Sequence, residues 1–222
     1  EDMSAITPKR YTCYRAASPL KIDGHLTDGP WKAAPWTDLF VDIEGDAKPL
    51  PRFATRAAML WDDEFFYFAA DMEEPHVWGT LTKRDSVICN DNDFEIFLDP
   101  DGDGEHYMEF EINPLNAVWD LYLPKAYNKG GKADHAWDFV GIRHAVQIDG
   151  TVNCADDEDR GWTVEVAIPW TAMLEYAGCD CPPKGGDAWR VNFSRVEWEW
   201  DYHQGGYLRR EGVPCDNWVW SP

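Results

Sequence analysis

Positive charge is scarce in this chain of 222 residues. Lys and Arg number 20 against 41 Asp and Glu, which gives a formal net charge of -21 and a pI near 4.4. A protein that binds nucleic acid needs clustered Lys and Arg to displace counterions from the phosphates, and an anionic membrane makes a similar demand. The composition therefore argues against DNA, RNA and anionic membranes as partners, and it favours a neutral or cationic ligand.

Long apolar segments are also missing. No run of apolar residues approaches the roughly 20 that a membrane-spanning helix needs, and no charged-then-apolar signal segment is present. We therefore expect no membrane span. The chain begins at Glu1 without a Met, which is consistent with a leader that has been removed.

Cysteine and histidine show none of the spacings that hold zinc. The six cysteines form no CxxC pair and the six histidines form no HxxxH or HExxH motif, so zinc is not expected. An even number of cysteines permits up to three disulfides, and buried free thiols are an equal alternative. Haem is not expected either, because nothing in the sequence pairs the candidate axial ligands Met72, Met108, His106 and His203.

Short strand patterns dominate what the chain does contain, and turn signals separate them. Strands are predicted at 53–61, 65–72, 117–124, 141–149, 162–170 and 188–200, in addition to a hairpin within 91–113. The one predicted helix is the short PWTAMLEYAG segment from Pro169. The pattern predicts an all-β, jelly-roll-like β-sandwich that forms a single domain over residues 1–222. Six apolar side chains are expected in one core: Ile96, Phe110, Val164, Val166, Val191 and Phe193.

The hairpin carries an acidic face. If its two strands pair around the PDGDG turn, Glu95 lies opposite or diagonal to Glu111, and Asp93 lies near Asn113. Like charges directly opposite each other destabilise a sheet. Such a cluster is therefore either fully solvated, or it binds a cation, hydrogen-bonds a ligand or shares a proton.

Alternation along other strands extends this face. If their strands lie in the same sheet, Glu165, Asn192 and either Arg56 or Arg195 join the hairpin residues on one polar concave surface. We interpret this surface as a binding face.

Thirteen tryptophans indicate the kind of ligand. Those among apolar neighbours are predicted to be core: Trp31, Trp61, Trp162, Trp170 and Trp189. The tryptophans beside polar or loop residues are equally compatible with the core and with the rim of the binding face: Trp78, Trp119, Trp137, Trp218 and Trp220. Aromatic faces beside carboxylates, Asn and Arg suit a sugar, because pyranose C–H faces stack and sugar hydroxyls need polar partners.

The DPDGDG turn is a candidate calcium site. Asp99, Asp101 and Asp103 stand at alternate positions, which is the opening spacing of a calcium loop. Phe110 occupies the position of the twelfth-residue Glu of an EF-hand, so an EF-hand is not predicted. A tight turn rich in Asp and Gly explains the same residues nearly as well.

A set of motifs runs along nearly the whole chain: an IDG…W start, LWDDEFFYF, DNDFEIF, GWTVEVAIPW and WRVNFSRV. Together they resemble the family 9 carbohydrate-binding modules, in particular the family-9-like proteins of bacterial polysaccharide users. The resemblance implies a β-sandwich that binds glycans without catalysis, often with bound calcium. It also fits the extracellular or periplasmic location that we expect.

In that family two tryptophans sandwich a terminal sugar while a Glu, an Arg and an Asn bond its hydroxyls. The resemblance assigns the Glu to Glu95, whereas Glu111 stands in place of the Arg, and the first Trp position falls near residues 88–89. The second Trp and a final strand would lie beyond the end of this chain. Trp78 or Trp119 is expected to supply stacking instead.

The sequence thus predicts a non-catalytic module that binds an oligo- or polysaccharide, either neutral or cationic. The predicted ligand-binding residues are Trp78, Asp93, Glu95, Glu111, Asn113, Trp119, Trp137, Asn192, Arg195 and Trp218, and the predicted metal ligands are Asp99, Asp101 and Asp103. The alternative is a glycoside hydrolase or lyase that works through Glu95 and Glu111, because paired carboxylates are what such chemistry needs.

Overall fold

Two β-sheets packed face to face, with a separate two-stranded ribbon, make up the computed structural model, which describes residues 7–27 and 29–222. The strands are β1 Tyr14–Arg15, β2 Val41–Asp42, β3 Thr55–Trp61, β4 Phe65–Glu73, β5 Asp93–Asp99, β6 Glu105–Ile112, β7 Val118–Lys125, β8 Arg143–Asp149, β9 Gly161–Pro169, β10 Arg190–Glu197, β11 Trp200–His203, β12 Gly206–Arg209 and β13 Asp216–Val219. Short 3₁₀ turns occur at Gly29–Ala33, Gly45–Ala47, Ile88–Asn90, Tyr127–Lys129 and Trp170–Ala172. The all-β sandwich prediction is confirmed.

The five-stranded sheet has the order β1-β3-β4-β9-β8, and the six-stranded sheet has the order β2-β13-β10-β5-β6-β7. Neighbouring strands are antiparallel except for β1 and β3. Strands β11 and β12 pair only with each other, and we call them the ribbon. No helix in the described part of the chain is long and apolar enough to cross a membrane.

Apolar side chains at every second position of the strands form the core between the two sheets. Ile96 and Phe110 pair across β5 and β6, and Val164 and Val166 face them from β9. Phe193 is fully buried among them, and partly buried Val191 packs against the same cluster. The predicted core is therefore confirmed, and it fixes which face of β5, β6 and β10 points outward.

The outer face of the five-stranded sheet is covered by the N-terminal segment. Trp31 packs there on Tyr67 and its neighbours, and its indole Nε1 donates a hydrogen bond of 2.7 Å to Glu165 Oε1. The backbone amides of Asp23 and Gly24 donate to the other oxygen of Glu165. Gly24 has a φ of +83°, and a Cβ there would lie 2.9 Å from the backbone of Gln147. Glu165 thus holds the N-terminal segment on the sheet.

Two local predictions are wrong. The PWTAMLEYAG segment contains only the 3₁₀ turn Trp170–Ala172, because β9 continues to Pro169 and Trp170 and Met173 then turn into the core. The segment at 188–200 is divided between β10 and β11. The six cysteines, whose state the sequence left open, are all free thiols.

Candidate functional site

A groove of about 790 Å³ lies on the face of the six-stranded sheet that points away from the core. Its floor contains Glu95 of β5 and Glu109 and Glu111 of β6. One side is bounded by Trp119 of β7 and by the segment around residues 127–135. The opposite side is bounded by the stretch that contains Trp198 and the ribbon. The groove is therefore an acidic floor between aromatic walls.

The strand register aligns the floor residues in one row. Ser194 of β10 pairs with Glu95, Glu95 pairs with Glu111, and Glu111 pairs with Trp119 of β7. This confirms the predicted position of Glu95 opposite Glu111. Asp93 lies on the same face, because it precedes Glu95 by two residues on β5. We refer to Asp93, Glu95, Glu109 and Glu111 as the carboxylate cluster.

The carboxylate cluster is buried and has few partners. Its members are at most 5% exposed, and among the described residues none of them forms an ion pair with Lys or Arg. The Cys89 amide donates to Glu111 at 2.9 Å and the Tyr127 hydroxyl donates to Glu109 at 2.9 Å. The Val196 amide donates to Asp93 Oδ1 at 3.3 Å, whereas Asp93 Oδ2 is buried without a hydrogen-bond partner.

Burial governs the protonation of these groups. It raises the pKa of Glu111 to about 9, with help from the charges of Glu95 and Glu109. Burial and the charge of Glu109 raise the pKa of Glu95 to about 8, and burial raises the pKa of Glu109 to about 7. The pKa of Asp93 is raised well above its usual value for the same reason. The cluster therefore holds protons near neutral pH unless a cation replaces them.

Two indole rings line the groove. Trp119 is 7% exposed, and its ring stacks on His135 with the ring centroids 5.1 Å apart. The Nε1 of Trp198 donates to the Cys89 carbonyl at 2.9 Å, and the guanidinium of Arg209 lies 4.5 Å from the centroid of the Trp198 ring. Each indole is thus held in place by its neighbours: Trp119 by a stacked ring, and Trp198 by a hydrogen bond and a guanidinium.

Asp93, Glu95, Glu111 and Trp119 are the predicted binding residues that the structure brings together. Asn113 is fully buried beside them and serves the adjoining loop: its Nδ2 donates to Asp91 and to the Leu81 carbonyl, and its Oδ1 accepts from the amides of Leu115 and Ala117.

Arg195 points to the opposite face of the sheet, and this corrects the predicted concave surface. Its guanidinium is 0% exposed and forms salt bridges with Glu74 at 2.9 Å and Glu197 at 2.8 Å. The grouping is also wrong for Glu165 and Arg56, because both belong to the five-stranded sheet. A charged side chain can face inward where the fold supplies its counter-charges.

The remaining predicted residues lie outside the groove lining. Trp78 is buried and stacks on Tyr207, and Trp218 is buried beside Arg195. Trp137 packs edge-on against Phe139, and the Asn192 side chain donates to the Ser221 carbonyl.

Sequence reasoning missed Glu109, Tyr127 and Trp198. Alternation on β6 alone places Glu109 on the face of Glu111, so that signal was available. Nothing local marks Tyr127 or Trp198, because loops of the fold carry both to the groove. Of the five tryptophans predicted as core, Trp31, Trp162 and Trp170 are buried, and Trp61 and Trp189 pack on the core, as expected.

The three aspartates of the DPDGDG turn do approach one another. One oxygen from each of Asp99, Asp101 and Asp103 lies within 4.8 Å of the others. Both Asp99 oxygens already accept backbone hydrogen bonds, from the amides of Gly102 and Gly104. The donor set suits calcium, and the hydrogen bonds suit a turn that needs no ion. Calcium at this turn stays a prediction.

The comparisons with known proteins agree with this architecture. Residues 22–181 match the family described as carbohydrate family 9 binding domain-like. No curated protein matches the chain significantly.

Three solved structures share the fold. A putative carbohydrate-binding protein from Bacteroides uniformis has a TM-score of 0.66 at 14% identity, with 97% of this chain and 91% of that chain covered. A family 9 module from Caldicellulosiruptor kristjanssonii in complex with cellotriose has a TM-score of 0.54 at 16% identity, with 92% and 82% covered. A family 9 module from the same organism in complex with glucose has a TM-score of 0.56 at 17% identity, with 92% of this chain and 83% of that chain covered. Since the family match spans most of the chain, this protein belongs to the carbohydrate family 9 binding domain-like family.

Proposed function

We propose that this protein binds an oligo- or polysaccharide, neutral or cationic, in the groove of the six-stranded sheet and does not cleave it. The observation that carries the proposal is the row of Glu95 and Glu111 on the floor of the groove and Trp119 at its side, in a chain of this family. The complexes of related modules with cellotriose and glucose support a saccharide ligand. An extracellular or periplasmic location would suit such a ligand.

The lining of the groove matches the chemistry of a sugar. Trp119 and Trp198 offer apolar aromatic surface for C–H faces. The carboxylates accept hydrogen bonds from hydroxyls, and Lys132, Arg209 and Asn217 add donors along the lining. Because the carboxylate cluster has no Lys or Arg partner among the described residues, a saccharide that carries an amino group is favoured over one that carries a carboxylate.

The arrangement of the two glutamates favours binding over hydrolysis. A glycosidase places its two carboxyl groups on either side of the scissile bond. Glu95 and Glu111 are direct neighbours on adjacent strands, and both approach the groove from the sheet. They therefore contact a bound sugar from the same side.

Titration calorimetry with cellotriose and with a chitosan oligosaccharide tests the proposal. Trp119→Ala and Glu111→Gln should each weaken binding by about 1 to 3 kcal/mol, because each removes a contact in a buried groove. Tyr14→Ala, which removes a 57% exposed ring from the five-stranded sheet, is the matched control and should leave binding unchanged. Equal loss in the control, or no loss in either groove variant, would refute the site.

The same samples test the enzymatic alternative. Incubation with each oligosaccharide should release no shorter product. Product release that Glu111→Gln abolishes, in a variant with an unchanged melting curve, would establish the paired-carboxylate enzyme instead.

A further inference from the structure

We propose that Asp93, Glu95 and Glu111 together bind one calcium ion in the floor of the groove. One carboxylate oxygen from each residue lies within 4.8 Å of the other two. Calcium binds oxygen ligands at about 2.3 to 2.6 Å, so a single ion bridges oxygens at that separation. The site is separate from the aspartate turn of residues 99–103.

The unpartnered oxygen of Asp93 is an independent indication of a ligand. Other buried carboxylates of the protein are well supplied with donors: Asp91 accepts from the Thr80 and Leu81 amides, and Asp159 accepts from the Val77 and Thr151 amides. Asp93 Oδ2 is the one fully buried carboxylate oxygen without a hydrogen-bond partner among the described residues. A buried polar atom without a partner is costly, and a bound cation removes that cost.

Charge points to a cation rather than to water. The three carboxylates are 0%, 5% and 3% exposed, and no Lys or Arg pairs with them in the described ranges. Water would supply donors but carries no charge, so the carboxylates beside it would either repel one another or stay protonated. A divalent ion replaces those protons and offsets the repulsion between the ionised groups at the same time.

The donor set selects a hard ion. All three ligands are carboxylate oxygens, which suit calcium rather than softer transition metals. The groove opens to solvent above Glu95 and Glu111, so an ion can enter. Calcium takes six to eight ligands, and its remaining positions face the groove, where adjacent hydroxyls of a sugar can fill them. This last step, unlike the ion site itself, rests on the proposed function.

Calorimetry with CaCl₂ on the full chain, after removal of metal with a chelator, tests the ion site. Asp93→Asn and Glu111→Gln should each lower the affinity of one calcium-binding event by at least about tenfold, because changes to residues that only support a metal ligand already cost that much affinity. The matched control is Asp101→Asn, which removes the same single charge from the aspartate turn and should leave that event unchanged. Calcium binding that only the control abolishes, or no calcium binding by the wild type, would overturn the proposal.

Terbium in crystals of the wild-type protein provides a second measurement that needs no variant to fold. Anomalous scattering should show an ion between Asp93, Glu95 and Glu111. Ions located only at Asp99–Asp103 would refute the site.

Saccharide binding, measured with and without EDTA, separates this inference from the proposed function. Weaker saccharide binding in EDTA is expected. Unchanged saccharide binding beside intact calcium binding would remove only the link between ion and sugar. Calcium binding without any saccharide binding would support the ion site and contradict the proposed function.

Discussion

Two buried acidic clusters lie on opposite faces of the six-stranded sheet, and their charges are partnered differently. In the first, which we call the Arg195 cluster, the guanidinium of Arg195 bridges Glu74 and Glu197 and also donates to Thr55 and to the Glu73 carbonyl. In the carboxylate cluster of the groove, no Lys or Arg of the described chain pairs with the four acids.

The two clusters differ in their surroundings. The Arg195 cluster lies within the sandwich, so its charges must be neutralised by the chain itself. The carboxylate cluster lines an open groove, where a ligand can supply what the chain does not. Acids with raised pKa values that line a groove mark a candidate functional site.

The largest expected effect comes from breaking the Arg195 cluster. Arg195→Met should lower the free energy of unfolding by about 3 to 5 kcal/mol, because two buried carboxylates lose the one cation that pairs with them among the described residues. Urea unfolding measures the change. A loss below about 1 kcal/mol, the range of a surface ion pair, would show that the cluster is solvated and would remove the contrast.

Removing one acid from the same cluster should cost less. Glu197 accepts from Arg195 and from Asn92 Nδ2 at 2.9 Å, and Glu197→Gln turns a charge-assisted acceptor into a neutral amide. We expect a loss of about 1 to 3 kcal/mol in the free energy of unfolding. A gain in the same urea experiment would contradict the structural role assigned to this residue.

The matching substitution in the groove should have the opposite sign. The pKa values of Glu95 and Glu111 are raised to about 8 and about 9, so both groups are ionised only above that range. In excess EDTA and at a pH above about 9, Glu95→Gln should therefore raise the free energy of unfolding by about 0.2 to 1 kcal/mol, because it removes a like charge opposite Glu111. A gain in stability for Glu95→Gln together with a loss for Glu197→Gln would show that the chain provides partners for the interior acids but not for the groove acids. A loss for both would mean that the groove acids are partnered as well as the interior ones.

The smallest effect is expected at an exposed ion pair. Arg56 bonds Asp71 at 2.8 Å on the five-stranded sheet, and both side chains are more than two-fifths exposed. Arg56→Met should change the free energy of unfolding by no more than about 0.5 kcal/mol. This variant is the control for Arg195→Met, since the same chemical change is made where water replaces the lost partner. An equal loss at both sites would show that burial does not set the cost.

The register of the hairpin could be predicted from the sequence because side chains alternate between the two faces of a strand, so that a shift by one residue would turn the apolar side chains away from the core. Phe94, Ile96 and Phe110 fix the inner face, and Glu95 and Glu111 then meet on the outer one. The same period assigns Arg195 to the inner face with Val191 and Phe193. Its charge nevertheless suggested the polar concave surface, because its partner Glu74 lies 121 residues away and no local pattern reveals that contact.

The composition of the groove walls could be predicted only in part. Trp119 follows from its place on β7, beside Glu111. Trp198 comes from a short turn between β10 and the ribbon, and the path of that turn depends on long-range contacts such as the bond from the Trp198 amide to Asn92 Oδ1. Periodicity carries no information about such contacts.

The ribbon lies outside both sheets, so its sequence can vary independently of the sandwich core. Among the described strands, β11 and β12 pair only with each other, and Tyr207 anchors them through the Cys154 carbonyl and the ring of Trp78. The sheet therefore supplies the floor of the groove while an appended hairpin supplies one wall through Arg209. Substitution of Arg209 or an insertion at the turn between β11 and β12 can change the width and charge of this wall while Tyr207 keeps its packing. The shape of the groove and the folding of the sandwich are therefore encoded in separable stretches of sequence.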